Sequence, residues 1–174
     1  TGSSEVVLDL RWDDGAGSGV SRMRFSNDGA TWTPWEVPVP SNIWTLLPGE
    51  GYRTVRVQYR DRVGNVSLRY TDYIKVDTTP PTGEILINKG AWQTFSSNVT
   101  LSLTWNDGQG SGVSRMRFSN NGSTWSAWEP SASSKSWVLG SNMPGYHTVR
   151  VQFIDRAGNT SERYSDYIHL SQAP

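Results

Sequence analysis

The 174 residues contain no cysteine, which excludes disulfide staples and thiolate metal sites alike. Histidine occurs only at 147 and 169, leaving little material for a His-based metal site or general base. Neither charge sign prevails, with 16 Lys+Arg against 16 Asp+Glu, so nothing draws the chain to nucleic acid or to an anionic membrane surface. No apolar run approaches the ~18 residues that span a bilayer, which argues against membrane insertion, and no signal-peptide pattern is visible. Sustained 3.6-residue periodicity is absent and runs of Ala, Leu or Glu are few, which disfavours helix. The chain is rich instead in Gly (17), Pro (9), Trp (9) and Tyr (7). Short alternating segments bounded by Gly, Asn, Asp and Ser predict an all-β protein.

The chain also repeats itself. Gly17 to Asn27 recurs unchanged as Gly110 to Asn120, an offset of 93. At that offset Trp12, Trp32, Trp35 and Trp44 match Trp105, Trp125, Trp128 and Trp137. One extra residue before Gly145 shifts the offset to 94, where Thr54–Gln58 matches Thr148–Gln152 and Asp61 matches Asp155. A period of this size is too long for a solenoid unit and suits a β-sandwich of about 100 residues. The segmentation is therefore 1–77 for the first copy, a stiff Pro-rich linker at 78–81, and 82–174 for the second. The histidines align with Arg53 and Lys75 of the first copy. A general base that one copy replaces with arginine is no base, so no enzyme and no cofactor is expected.

Alternation assigns the strands. Val6, Leu8, Leu10 and Trp12 share one face, as do Val99, Leu101, Leu103 and Trp105, and both Trp12 and Trp105 are expected deep in a core. Met23 and Phe25 point inward while Arg22 and Arg24 point outward. Asn27-Asp28-Gly29 and Asn120-Asn121-Gly122 predict tight turns. The segments holding Trp32 and Trp35, or Trp125 and Trp128, read as return strands. In copy two, Glu84–Asn88 reads as a first strand that copy one does not carry, although Thr1-Gly2 matches Thr82-Gly83 as an opening dipeptide. That leaves the Val6–Trp12 segment as an open edge. Two explanations stand side by side: a deletion or chain boundary with the edge shielded by twist or by Arg11, or a neighbouring molecule that supplies the strand and builds a head-to-tail fibre.

The order Gly-Ser-Gly-Val, Ser-Asn-(Asp/Asn)-Gly-x-x-Trp-x-x-Trp-Glu, Gly-Tyr-x-Thr-Val-x-Val-Gln and Asp-Arg-x-Gly-Asn, with a connector ending Pro-Pro-Thr-Gly, resembles the bacterial immunoglobulin-like repeats of secreted and surface-anchored proteins. The resemblance implies two tandem immunoglobulin- or fibronectin-III-like antiparallel β-sandwiches in an extracellular or cell-surface setting. It implies no single activity, since such repeats serve as stalks, spacers, adhesion modules and accessory domains.

Two residue sets stand out as candidate sites. Trp32, Trp35, Trp125 and Trp128 lie near the outward arginines Arg22, Arg24, Arg115 and Arg117. They form either a cation–π ladder, at about 0.5–1 kcal/mol per exposed stack, or an indole platform for surface glycans. Asp14, Asp61, Asp77, Asp107 and Asp155 are either turn caps or calcium ligands near a junction. The spacing lacks the dense Asp-x-Asp-x-Asp of strong calcium loops, which favours capping.

Overall fold

The computed structural model describes residues 1–172; Ala173 and Pro174 lie outside the described part, including the expected correspondence, at the offset of 94, of Pro174 with Pro80. The described residues form strands, turns and loops and no helix, giving an all-β fold. Two compact units are present, Thr1–Asp77 and Thr78–Pro174.

In unit 1, β1 (Glu5–Asp9) pairs with β3 (Ser41–Thr45), while β2 (Val20–Ser26), β4 (Gly51–Asp61) and β5 (Tyr70–Val76) form the second sheet in the order β2-β4-β5. In unit 2, β6 (Thr82–Ile87), β8 (Asn98–Asn106) and β11 (Ser134–Val138) make one sheet, with β8 central. The facing sheet runs β10 (Glu129–Pro130), β9 (Val113–Ser119), β12 (Gly145–Asp155), β13 (Tyr164–Leu170), β7 (Gln93–Thr94). Every pairing is antiparallel except that of β7 with β13.

The period-2 pattern explains why β2 and β9 sit as they do. Met23 and Phe25 are fully buried, and Met116 and Phe118 repeat them. Each strand is bulged against its neighbour, between Val20 and Arg22 in unit 1. The Ser21 hydroxyl holds this bulge by donating to the carbonyls of Arg60 (3.2 Å) and Asp61 (2.9 Å). Ser114 does the same in unit 2. Gly29 and Gly122 turn the chain at φ of 78° and 77°, a region that β-carbon sterics deny to most residues.

The tryptophan segments differ from the expected return strands. Residues 30–35 run as an extended loop, pinned to β2 through Thr33 N–H to Phe25 O (2.9 Å) and a single bridge between Met23 and Glu36. Pro34, Pro38 and Pro40 have no N–H to give, so a ladder cannot propagate there. Unit 2 manages only the two residues of β10.

The cores of the two units also differ. In unit 2 one contiguous cluster runs from Ile85 and Ile87 through Leu101, Phe118 and Val151 to Ile168. In unit 1 the buried residues fall into two small groups, Met23–Phe25–Tyr59 and Leu46–Val55–Val76. Trp12 accordingly departs from its expected deep burial: it is 37% exposed and lies beyond the end of β1. Trp105 is half-buried, because β6 runs beside it with Gly83 as its direct partner. The position of Thr1 is a second correction. Its carbonyl accepts the Asp77 N–H (2.9 Å) as that of Thr94 accepts Ser171 N–H (2.9 Å), and Leu46 N–H reaches Ser4 O as Leu139 N–H reaches Ser97 O. Thr1 thus stands where Thr94 stands and not where Thr82 does. Hydrogen bonding sets this register, and a Thr-Gly dipeptide match does not.

Candidate functional site

Three arrangements carry the chemistry of the surface. The first is the arginine–tryptophan face. Arg24 lies between two indoles, with its guanidinium carbon 4.7 Å from the Trp32 centroid and 4.5 Å from that of Trp35. Arg60 covers Trp35 as well, at 4.9 Å. The Arg24 fork donates to Gln58 Oε1 (3.1 and 2.7 Å), and Gln58 in turn donates to Ser67 O. Unit 2 repeats the arrangement, with Arg117 over Trp125 (4.9 Å) and Trp128 (4.6 Å), held by Gln152. All four indoles are half-buried. Arg22 and Arg115 are exposed and stack on neither indole. Arg22 faces Arg60 across the ladder, and it is Arg60 that reaches Trp35. Cross-strand neighbours that only the tertiary structure brings together, Gln58 and Arg60, complete the ladder.

The second arrangement is the set of aspartates. Asp61 Oδ1 accepts the N–H groups of Val63 (3.0 Å) and Asn65 (2.8 Å), and Oδ2 accepts the Asn65 amide (2.8 Å). Burial pushes the Asp61 carboxyl up, but the Asn65 side chain, the Asn65 and Gly64 backbone and Ser18 together outweigh it, so its pKa is lowered. Asp155 caps the matching loop through Gly158 and Asn159. Asp14 Oδ2 accepts Gly19 N–H (2.7 Å), and Asp107 Oδ2 accepts Gly112 N–H (2.5 Å). Asp77 is buried at the end of unit 1. Within unit 2, oxygens of Asp107 and Asp155 approach within 4.8 Å of each other. Asp28, absent from the candidates, is held well below the ordinary carboxyl range. Asp28 Oδ1 accepts Ala30 N–H and Thr31 N–H (both 2.8 Å) and the Ser26 hydroxyl (3.0 Å). The Thr31 and Ala30 amides, then Ser26, lower its carboxyl from 3.8 to about 2. The Asn-Asp-Gly turn sequence already carried that signal.

The third arrangement is a groove in unit 1 beside the free edge of β1. One section, of about 470 Å³, is lined by Trp12, Tyr59, Val66 and Tyr70; a second, of about 360 Å³, by Leu8, Leu10, Phe25, Val57 and Asp72. Burial first, and the neighbouring Tyr70 second, push the Tyr59 hydroxyl up. The histidines lie elsewhere: His147 bonds the Met143 carbonyl (2.9 Å) and His169 the Ser171 hydroxyl (3.1 Å).

No family model and no curated protein matches the sequence. Solved structures do. Fibronectin(III)-like modules of Clostridium thermocellum CbhA match 98% of this chain and 87% of theirs, with 18% identity and a TM-score of 0.56. The fold is immunoglobulin/fibronectin-III-like. The chicken CNTN1 FN1–FN3 domains share this fold over 97% of this chain and 62% of theirs, at 16% identity and a TM-score of 0.51. A tetra-tandem repeat from the extending region of a large adhesion protein aligns over 91% of this chain and 43% of its own, at 19% identity and a TM-score of 0.36. An immunoglobulin/fibronectin-III-like sandwich is compatible with many roles, so the role has to be argued from the surfaces above.

Proposed function

We propose that this chain is a non-catalytic structural or adhesion segment of a larger extracellular or cell-surface protein, built to give spacing and to engage partners along strand edges. The observation that carries the reading is the duplication itself. Two sandwiches repeat a glutamine-held arginine set between two tryptophans and the same capped Asp-Arg-x-Gly-Asn loops, while the two histidines are not repeated. Duplication that preserves covering and capping residues serves architecture. Antibody labelling of intact source cells, or detection in their medium, tests the setting. Surface or medium signal is expected; a protein confined to the cytoplasm overturns the reading.

In this reading the tryptophans are a ladder and not a glycan platform, because a guanidinium group already lies over each of the four indole rings. Titration with a glycan panel should leave tryptophan fluorescence unchanged. A saturable shift that disappears in Trp35→Ala or Trp128→Ala would establish the platform instead. Asp14, Asp61, Asp107 and Asp155 are loop caps, and calcium addition or EDTA should not move the melting temperature. The partner surface is the open edge at 6–12, where association with a second copy or another chain would occur.

A further inference from the structure

The outer face of the β2-β4-β5 sheet of unit 1 gathers positive charge that the chain itself does not neutralise. Strand register sets it out in three steps: Arg22 stands opposite Arg60, Arg24 opposite Gln58 and Ser26 opposite Arg56. Alternation carries the four arginines outward, away from the buried Met23, Phe25 and Tyr59. Among the described residues the Arg22 guanidinium has no hydrogen bond, ion pair or ring contact. That of Arg60 lies over Trp35 at 4.9 Å and donates no hydrogen bond. Arg24 gives Nε and Nη2 to Gln58 and keeps Nη1 open. Arg56 gives only Nη1, to the Asn27 carbonyl at 2.9 Å.

The nearest carboxylates in the fold are directed elsewhere. Glu36 bridges to Met23, whose side chain is buried, so alternation puts Glu36 on the core side of the sheet. Its counterpart Glu129 takes that direction and meets Lys135 of the facing sheet at 2.7 Å. Asp28 is tied into its own turn and Asp61 into its own loop. Like charges directly opposite on a ladder repel each other. Unit 2 avoids this pair: Arg115 stands opposite Ile154, while Arg117–Gln152 and Ser119–Arg150 repeat the other two steps. The Arg22–Arg60 pair is therefore particular to unit 1 and is not required by the fold.

We propose that this face binds an extended acidic polypeptide segment with carboxylates on alternate residues, lying along the seam of β2 and β4. One carboxylate sits between Arg22 and Arg60, the next meets Arg24 Nη1, and the third meets Arg56. Charge-assisted hydrogen bonds to the guanidinium groups supply the attraction, and an anion between Arg22 and Arg60 also cancels their repulsion. Spacing selects the ligand. Alternate residues of a strand stand about 6.8 Å apart, and an extended peptide presents its same-side carboxylates at that interval. A pyranose ring would have to compete with the guanidinium groups that lie over Trp32 and Trp35, whereas a carboxylate binds to those groups. This sheet face is separate from the strand edge at 6–12. It is tested on the purified chain, so its failure leaves the surface-labelling result standing.

The test is titration of the whole chain with the acetylated, amidated peptide Thr-Glu-Thr-Glu-Thr-Glu-Thr, followed by NMR of the arginine Nε–H groups. Saturable one-to-one binding is expected, with shifts at Arg22, Arg24, Arg56 and Arg60 and affinity that falls as salt rises. Arg60→Ile installs the residue that unit 2 carries and should weaken binding about tenfold. Arg22→Gln, at an exposed and unpaired position, should do the same without disturbing the fold. Ile154→Arg should create a matching site in unit 2, so that each chain takes two peptides. The proposal is overturned by absence of saturable binding, or by Arg60→Ile and Arg22→Gln proteins that bind like the wild type. It is equally overturned if a peptide with its three glutamates consecutive binds as well, or if an oligogalacturonate binds this face more tightly than the peptide.

Discussion

Asp28 and Asn121 occupy the same place in the two turns and make the same bonds. Asn121 Oδ1 accepts Ser123 N–H (2.9 Å) and Thr124 N–H (2.8 Å) as Asp28 accepts Ala30 and Thr31. Only the aspartate titrates. Its carboxyl pKa is lowered in the folded state, so its stabilisation is complete above its ordinary value of 3.8 and is lost as pH falls through about 2. Thermal melts between pH 5 and 2 should show a steeper loss for unit 1 in the wild type than in Asp28→Asn, which keeps the oxygen acceptor. The two tryptophans provide a second comparison. Trp105→Ala removes a ring covered by β6 and should cost about 3–4 kcal/mol; Trp12→Ala removes a ring left one-third open and should cost about 1–2 kcal/mol. Urea unfolding of the two variants measures the difference.

Among the elements, the ladder on β2 depends on a planar side chain between two indoles. Arg24→Lys keeps the charge but loses the fork to Gln58 and the flat face shared by Trp32 and Trp35. It should behave like Arg24→Ala, with a loss of about 1–2 kcal/mol and a red shift of tryptophan emission. If lysine rescues fully, the charge alone holds the ladder. The bulges, by contrast, are held by Ser21 and Ser114 through carbonyls on β4 and β12, so the start of β2 depends on a strand about forty residues later.

For the whole molecule, the two sandwiches share a pattern but not a core. Unit 1 has no strand in the place of β6 and so no counterpart of two buried isoleucines, each worth about 1.5–3 kcal/mol on burial. Calorimetry should resolve two transitions, with unit 1 melting first by about 10 °C or more. A single cooperative transition would contradict the division of the core.

Local pattern determined what depends on nearest neighbours along the chain. Alternation in Val20–Ser26 and Val113–Ser119, the Asn-x-Gly turns, and the 93-residue repeat specified an all-β, duplicated architecture and put Met23 and Phe25 inside. The positions of Trp12, Thr1 and Arg22 were set by tertiary structure. Alternation counts Trp12 as inward, yet a residue is buried only if something covers it, and over Trp12 no strand lies. Arg22 and Arg24 look equivalent on a period of two, yet which one meets indoles depends on Gln58 and Arg60, placed opposite by strand register. The groove was legible only in outline, as a comparison of lengths. Its aromatic lining, Trp12, Tyr59 and Tyr70, comes from segments far apart in sequence, and contacts of that range leave no periodic trace in the chain.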